Sequence, residues 1–260
     1  MRTRETVKLP LLGSDYLSGD WSYTDKPHEF AVLCVHGFGS HRGGEKVQAV
    51  EAECAARGWT FASFDFRSHG QSSGTMLDLR ASRLLEDLDS IYQFLSGHGV
   101  RRLYLFGSSM GGFASAWYAF RRPDIVPAVM LLAPAFHFLT LRWDRLSDEQ
   151  KETFRHKGVM RFTNDWVDTE LAYGLVEERH AFSLEELARD WHTPLLICHG
   201  MKDDVVKYQR SVQWVKQTTY QNIEMRLYAL GDHRLTVFKR ELASEACRFF
   251  AQHEAARLTE

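Results

Sequence analysis

The stretch that decides the fold is Leu103-Tyr-Leu-Phe-Gly-Ser-Ser-Met-Gly-Gly-Phe-Ala-Ser-Ala-Trp-Tyr-Ala-Phe120. It begins as a short apolar run, passes through Gly107-Ser-Ser109-Met-Gly111, and continues with a helical pattern. A serine between glycines, entered by a strand and left by a helix, sits on a sharp turn that lifts its hydroxyl clear of the backbone. The same Gly-x-Ser-x-Gly spacing recurs at Gly70-Gln-Ser72-Ser-Gly74, but there it follows Arg67-Ser-His69 and leads into Thr75-Met76, which reads as a loop. Ser109 is therefore the candidate nucleophile, and Ser72 is a chance match.

Apolar runs like the one before Gly107 recur along the chain, at 30–35, 60–66, 102–106, 126–133, 194–198 and 223–227. Most are apolar throughout, as parallel strands covered on both faces should be. Helical patterns lie between them at 44–57, 78–97, 111–121, 207–217 and 236–253. In the second of these, Leu84, Leu85, Leu88, Ile91, Tyr92 and Leu95 recur at three-and-four spacing and form one buried face. This alternation predicts an α/β fold with a mostly parallel central sheet and helices on both faces. The stretch 136–192 breaks the rhythm. It shows no convincing strand, several short helical patterns, and the aromatics Phe136, Phe138, Trp143, Phe154, Phe162, Trp166, Tyr173 and Phe182. Ser183-Leu-Glu-Glu186 reads there as a capping box. We expect a core built from 1–135 and 193–260, with 136–192 as a small helical cap.

The chain has 260 residues, and its 32 Lys+Arg against 34 Asp+Glu leave a net charge of −2. That length suits one domain, and such a charge provides no grip on a nucleic-acid backbone. No apolar run is long enough to span a membrane. The first residues carry basic groups without an apolar stretch behind them, so the expected location is cytoplasmic. Cys34, Cys54, Cys198 and Cys247 are scattered singly, without zinc spacing or an activating neighbour. The expectation is a protein without metal or cofactor.

A serine hydroxyl needs a base within hydrogen-bond reach and a third group to orient that base. Behind an elbow of this type the chain order is Ser, then Asp or Glu, then His. The run at 194–198 is followed by His199-Gly-Met-Lys-Asp203-Asp204, and the run at 223–227 by Gly231-Asp232-His233. Loops at the carboxyl ends of parallel strands open on one side of the sheet, so these pieces converge on Ser109 by topology. Two backbone N–H groups are expected to hold an oxyanion: that of Met110, after the nucleophile, and that of Phe38 in His36-Gly-Phe-Gly39. His36 then braces its loop. Phe136, Phe138 and Trp143 follow directly from the run ending at Ala133 and are expected to line a substrate pocket.

With these motifs, and with Phe64-Asp-Phe-Arg-Ser-His-Gly-Gln-Ser72, the sequence resembles the α/β-hydrolase superfamily over nearly its whole length. His199-Gly-Met-Lys-Asp-Asp-Val-Val206, Asp232-His-Arg234 and Leu146-Ser-Asp-Glu-Gln-Lys-Glu-Thr-Phe-Arg-His-Lys-Gly-Val159 are similar to a mitochondrial branch of it that cleaves acyl glucuronides and palmitoyl thioesters. That branch has Pro where this chain has His36 and Lys207. The superfamily spacing His-Gly-x-x-Asp-x-x-Val selects Asp203 over Asp204, with Asp144 the fallback after the preceding strand. The resemblance implies a serine hydrolase that cleaves carboxylic esters or thioesters of apolar acyl groups through an acyl-enzyme on Ser109. His233 is its general base and acid, and Asp203 orients the imidazole. The substrate is a small molecule or, on a larger scale, an acylated protein. The alternatives are a serine peptidase or carbon–carbon bond hydrolase of the same fold, and a small-molecule sensor that turns over slowly.

Overall fold

The computed structural model describes residues 1–163 and 167–257. The elements in chain order are β1 (Arg2–Pro10), β2 (Tyr16–Thr24), β3 (Phe30–Val35), α1 (Glu45–Ala56), β4 (Thr60–Phe64), α2 (Ala81–Gly97), β5 (Arg102–Ser108), α3 (Met110–Arg121) and β6 (Val129–Leu132). There follow α4 (Asp148–Lys157), β7 (Val159–Thr163), β8 (Asp168–Ala172), α5 (Gly174–Glu177), α6 (Leu184–Arg189), β9 (Leu195–Gly200), α7 (Tyr208–Gln217), β10 (Ile223–Tyr228) and α8 (Lys239–Arg257).

Eight strands form one sheet in the order β1-β2-β4-β3-β5-β6-β9-β10. From β4 to β10 every pairing is parallel, and only β1 and β2 run antiparallel at one edge. The parallel strands read as unbroken apolar runs because both of their faces are covered. Ala31, Leu33 and Val35 of β3 face one core, while Phe30, Val32 and Cys34 face the other. Leu103 and Leu105 of β5 divide from Tyr104 and Phe106 in the same way. All four cysteines are buried and unbridged.

Two expectations need correction. The hairpin β1–β2 is an addition to the expected strands: β1 is a largely exposed edge strand, and β2, although buried along much of its length, is broken by Ser18, Gly19, Asp20 and Ser22, so neither shows a continuous apolar run. It is held to the sheet at Gly19, where a Cβ would lie 2.1 Å from the Phe64 ring, so only glycine lets that ring cross the strand. The stretch 136–192 is also not purely helical, since β7 and β8 pair as a small antiparallel hairpin apart from the main sheet. Alternating charged and apolar residues such as Arg161-Phe162 belong to that exposed hairpin, whose strands are mostly partly exposed. Trp166 lies outside the described residues. Ser183 does cap α6, accepting the Glu186 N–H.

Candidate active site

Ser109 stands at the junction of β5 and α3 with φ 54° and ψ −115°, a backbone conformation that costs of order 1–3 kcal/mol and persists only where surroundings enforce it. Those surroundings are packed backbones. A Cβ on Gly111 would lie 2.2 Å from the Val35 carbonyl oxygen, and one on Gly107 would lie 2.5 Å from Ser115 Oγ. The glycines of the motif are therefore spaces into which β3 and α3 fit. The Ser109 N–H donates to the Leu132 carbonyl at 2.9 Å, and the Ser109 carbonyl accepts from Ala135 at 3.0 Å, which ties the turn to β6.

Loops from β5, β9 and β10 bring three distant side chains into one chain of contacts. His233 Nε2 is 3.0 Å from Ser109 Oγ, and His233 Nδ1 is 2.7 Å from Asp203 Oδ2. The other carboxylate oxygen, Oδ1, accepts the N–H groups of Val205 at 2.9 Å and Val206 at 2.8 Å. Burial of Asp203 opposes its ionisation, but the hydrogen bonds from His199 and His233, the charge of His233 and the Val206 N–H outweigh it. The carboxyl is held well below the usual range. Asp204, next in sequence, is exposed and lines the neighbouring cavity instead. Asp144 is also exposed. Such an arrangement can take the serine proton, hold the resulting imidazolium, and pass the proton on.

His36 braces its loop from both ring nitrogens. Nε2 accepts the Phe66 N–H at 3.0 Å, so Nδ1 carries the proton and donates it to the Gly37 carbonyl at 2.8 Å. Burial, and behind it the positive charge of nearby His69, lowers the His36 pKa to about 4. Gly37 lies against the nucleophile, where a Cβ would stand 3.1 Å from that of Ser109. Phe38 follows Gly37 in that loop and lines both cavities beside Ser109, while Met110, the residue after the serine, opens α3. Ser72 belongs to a different structure. Its hydroxyl donates to the Asp65 carbonyl at 2.6 Å and accepts the Ser18 N–H at 2.8 Å, pinning the loop after β4 to β2.

Two adjoining cavities share Phe38, Ser109 and His233. One, of about 490 Å³, is of mixed character, with Ser40, His41, Lys46, Ser108 and Thr236 in its wall beside Val35, Val47 and Phe106. The Lys46 ammonium donates to Ser108 Oγ at 3.3 Å and to the Arg234 carbonyl, and burial lowers its pKa to about 8. The other, of about 350 Å³, has Ala135, Phe138, Leu141, Val205 and Val206 in its wall. Of the three aromatics expected at a pocket, only Phe138 lines it. Phe136 stacks on Trp214 at 4.6 Å inside the core, and Trp143 packs with Phe154 and Val176 in a separate cluster. Their apolar character serves packing, which sequence patterning cannot tell from ligand contact. Two residues that sequence reasoning passed over are His199, which also touches Asp203, and Arg142 in the wall of the second cavity. The spacing of four between His199 and Asp203 was a usable signal; nothing in the sequence marked Arg142.

A family model described as "Serine aminopeptidase, S33" matches residues 26–155, half of the chain, and spans the strands that carry Gly37 and Ser109. The chain belongs to this family of α/β-hydrolases. The S33 family membership makes it an enzyme of the serine-hydrolase class, and the fold is shared with solved structures. Mouse α/β hydrolase domain-containing protein 10 superposes with a TM-score of 0.82 at 24% identity, covering 95% of this chain and 99% of that one. Est1E from Butyrivibrio proteoclasticus, with ferulic acid bound, superposes at 0.80 with 21% identity over 96% and 99%. Among curated relatives, the bovine mitochondrial palmitoyl-protein thioesterase ABHD10 is 27% identical over 207 residues, 78% of this chain and 67% of its own. A monoacylglycerol lipase from Mycolicibacterium smegmatis is 23% identical over 80% and 82%. Among the described residues no helix is long and apolar enough to cross a membrane. The cytoplasmic location expected from the sequence has no support from the ABHD10 relatives, whose names place them in mitochondria.

Proposed function

We propose that this S33-family protein hydrolyses carboxylic esters and thioesters through an acyl-enzyme on Ser109. The observation that carries the reading is the hydrogen-bonded chain Ser109–His233–Asp203 at the mouth of two cavities. Ser109 Oγ attacks the acyl carbon while His233 Nε2 takes its proton. The oxyanion forms against the N–H groups of Phe38 and Met110, each such donor being worth ~2.7–4 kcal/mol in related chemistry. His233 then protonates the leaving alcohol or thiol, and water, activated by the same imidazole, releases the acid. Asp203, ionised and buried, keeps Nδ1–H pointed toward itself and stabilises the imidazolium. The smaller cavity takes the acyl chain along Phe38, Phe138 and Leu141, and the larger cavity takes the leaving group. The segment 136–192 acts as the cap that supplies much of this acyl wall. The printed names of the relatives, a palmitoyl-protein thioesterase and a monoacylglycerol lipase, fit acyl transfer from sulfur and from oxygen.

The test combines labelling with turnover. A fluorophosphonate probe should modify Ser109 alone, and Ser109→Ala should abolish both labelling and hydrolysis of matched acyl esters and thioesters. Labelling at Ser72, or Ser109-dependent release from aminoacyl anilides with no ester or thioester turnover, would overturn the proposal.

A further inference from the structure

Arg142 stands out in the wall of the acyl cavity. Its guanidinium carbon lies 4.3 Å over the centre of the Phe38 ring and 5.7 Å from that of Phe138, two aromatics that line this cavity with the nucleophile. Other part-buried arginines of the core fold have polar partners: Arg42 pairs with Asp20 and Asp65, Arg67 with Glu86 and Asp87, and Arg102 with Glu254, while Arg2 donates to Ser22 Oγ and Arg80 to the Leu77 and Leu79 carbonyls. Arg142 makes no ion pair and no side-chain hydrogen bond among the described residues. Burial, and behind it the charge of Arg145, lowers its pKa to about 10, which leaves it a cation at neutral pH.

The rings replace part of the lost hydration through their faces, but they offer no acceptors for the N–H fork. Holding a largely buried cation without an ionic partner is costly. Ligand cavities use such isolated polar groups to fix orientation and specificity. The same wall carries Lys202 and Arg234 against Asp204 and Asp232, so with Arg142 the basic groups outnumber the acidic ones.

We infer that Arg142 binds an anionic group borne by the acyl part of the substrate, which makes the preferred substrates esters or thioesters of acids with a second, free carboxylate. This rests on the reading of the cavity as the acyl pocket of a serine hydrolase. The acyl chain lies along Phe38 and Phe138, and the free carboxylate meets the guanidinium side-on, as a bidentate pair. A plain fatty acyl chain would leave the cation unpaired.

The test uses the 260-residue protein and two matched pairs of phenyl esters. Phenyl hexanoate and phenyl hydrogen adipate differ by a carboxylate on the acyl side; phenyl butanoate and para-carboxyphenyl butanoate differ by one on the leaving group. The wild type should favour the adipate, and added salt should weaken that preference without changing hydrolysis of the hexanoate. Arg142→Gln should lower the adipate-to-hexanoate ratio of kcat/KM roughly ten- to hundredfold, the range expected for a charge-assisted hydrogen bond, with part of it restored in Arg142→Lys. Free adipate should inhibit the wild type more strongly than hexanoate, a comparison that needs no variant. A ratio unchanged in Arg142→Gln, or no salt-sensitive preference in the wild type, would overturn the inference. An Arg142-dependent preference for para-carboxyphenyl butanoate would overturn the acyl assignment. Absence of Ser109-dependent turnover with all four esters would instead overturn the hydrolase reading on which it rests.

Discussion

His199 and His233 share an acceptor: His199 Nε2 lies 3.1 Å from Asp203 Oδ2, the oxygen that receives His233 Nδ1 at 2.7 Å. The same Nε2 is 2.9 Å from the Val206 carbonyl, so it faces two acceptors and must carry its proton. Nδ1 is then an acceptor, and the Ser211 hydroxyl donates to it at 2.9 Å. Both His199 and Asp203 are buried. His199 is thus a positioning residue for the carboxylate, acting through Asp203. His199→Leu should lower kcat roughly tenfold while KM changes little, since the lost bond is to a charged group. Ser211→Ala, which leaves Nε2–H in place, should cost less. Steady-state kinetics decide it; equal losses in both variants, tracking only thermal stability, would reduce His199 to a packing residue.

The two adjacent acids should separate cleanly. Asp203→Asn removes the acceptor of His233 and should cut kcat by a factor on the order of 10⁴, as amidation of an orienting aspartate does elsewhere. Asp204→Asn should change kcat far less, because that side chain is exposed while the hydrogen bond of His233 Nδ1 goes to Asp203. Rate measurements on folded, matched samples check both.

Two glycines predict opposite outcomes. Gly111→Ala would push a methyl to 2.2 Å from the Val35 carbonyl and 2.4 Å from that of His36, both backbone atoms that cannot yield, so little folded protein is expected. Gly97, at the end of α2, has nothing within 4 Å of its Cβ position. Gly97→Ala should raise stability by about 0.5–1 kcal/mol. Urea midpoints measure the difference.

Acid should destabilise the protein through His36. Its pKa falls from the ordinary 6.5 to about 4 on folding, chiefly by burial. Between those values the unfolded chain binds a proton that the folded chain does not, so stability rises with pH. The contribution is complete above 6.5 and is lost toward pH 4, at about 1.4 kcal/mol per pH unit for the group. His69, also buried and lowered, acts in the same direction. Urea unfolding from neutral pH down to about 5 should show this slope, and His36→Gln should flatten it while lowering stability at neutral pH.

Phe138 and Trp143 should behave differently despite their similar chemistry. Phe138→Ala enlarges the smaller cavity beside Ser109 and, on the proposed function, should shift the preferred acyl-chain length. Trp143→Ala should leave that optimum in place and cost about 3–5 kcal/mol of stability, because the ring fills the cluster with Phe154 and Val176. Chain-length profiles with parallel thermal melts distinguish them.

The parallel strands were legible because burial on both faces imposes a run of apolar residues on each, and β3 came out at its full length, Phe30–Val35. The edge hairpin was not, since Arg2–Pro10 is half solvated and its polar residues carry no comparable pattern. Within 136–192, Ser183 marks the start of α6 in the sequence, and Ser147 with Gln150 forms the capping box that starts α4. Boundaries of the helices moved by a few residues, as frayed ends do.

What the sequence determined by itself was chemistry of fixed local form. Gly107, Ser109 and Gly111 specify a strand–turn–helix junction through short-range sterics, and strand order then sends the loops bearing Asp203 and His233 to the same edge of the sheet. The spacing shared with the superfamily singled out Asp203 over Asp204, and the physical reason came from the tertiary structure, which turns Asp203 Oδ2 to within 2.7 Å of His233 Nδ1. The tertiary structure alone separated Phe138 from Phe136 and Trp143, since contact with a cavity and contact with a core demand the same apolar surface. Arg142 shows the same limit from the polar side. Whether a cation is paired depends on what the fold brings within reach of it, and that is a property of distance, which no spacing along the chain contains.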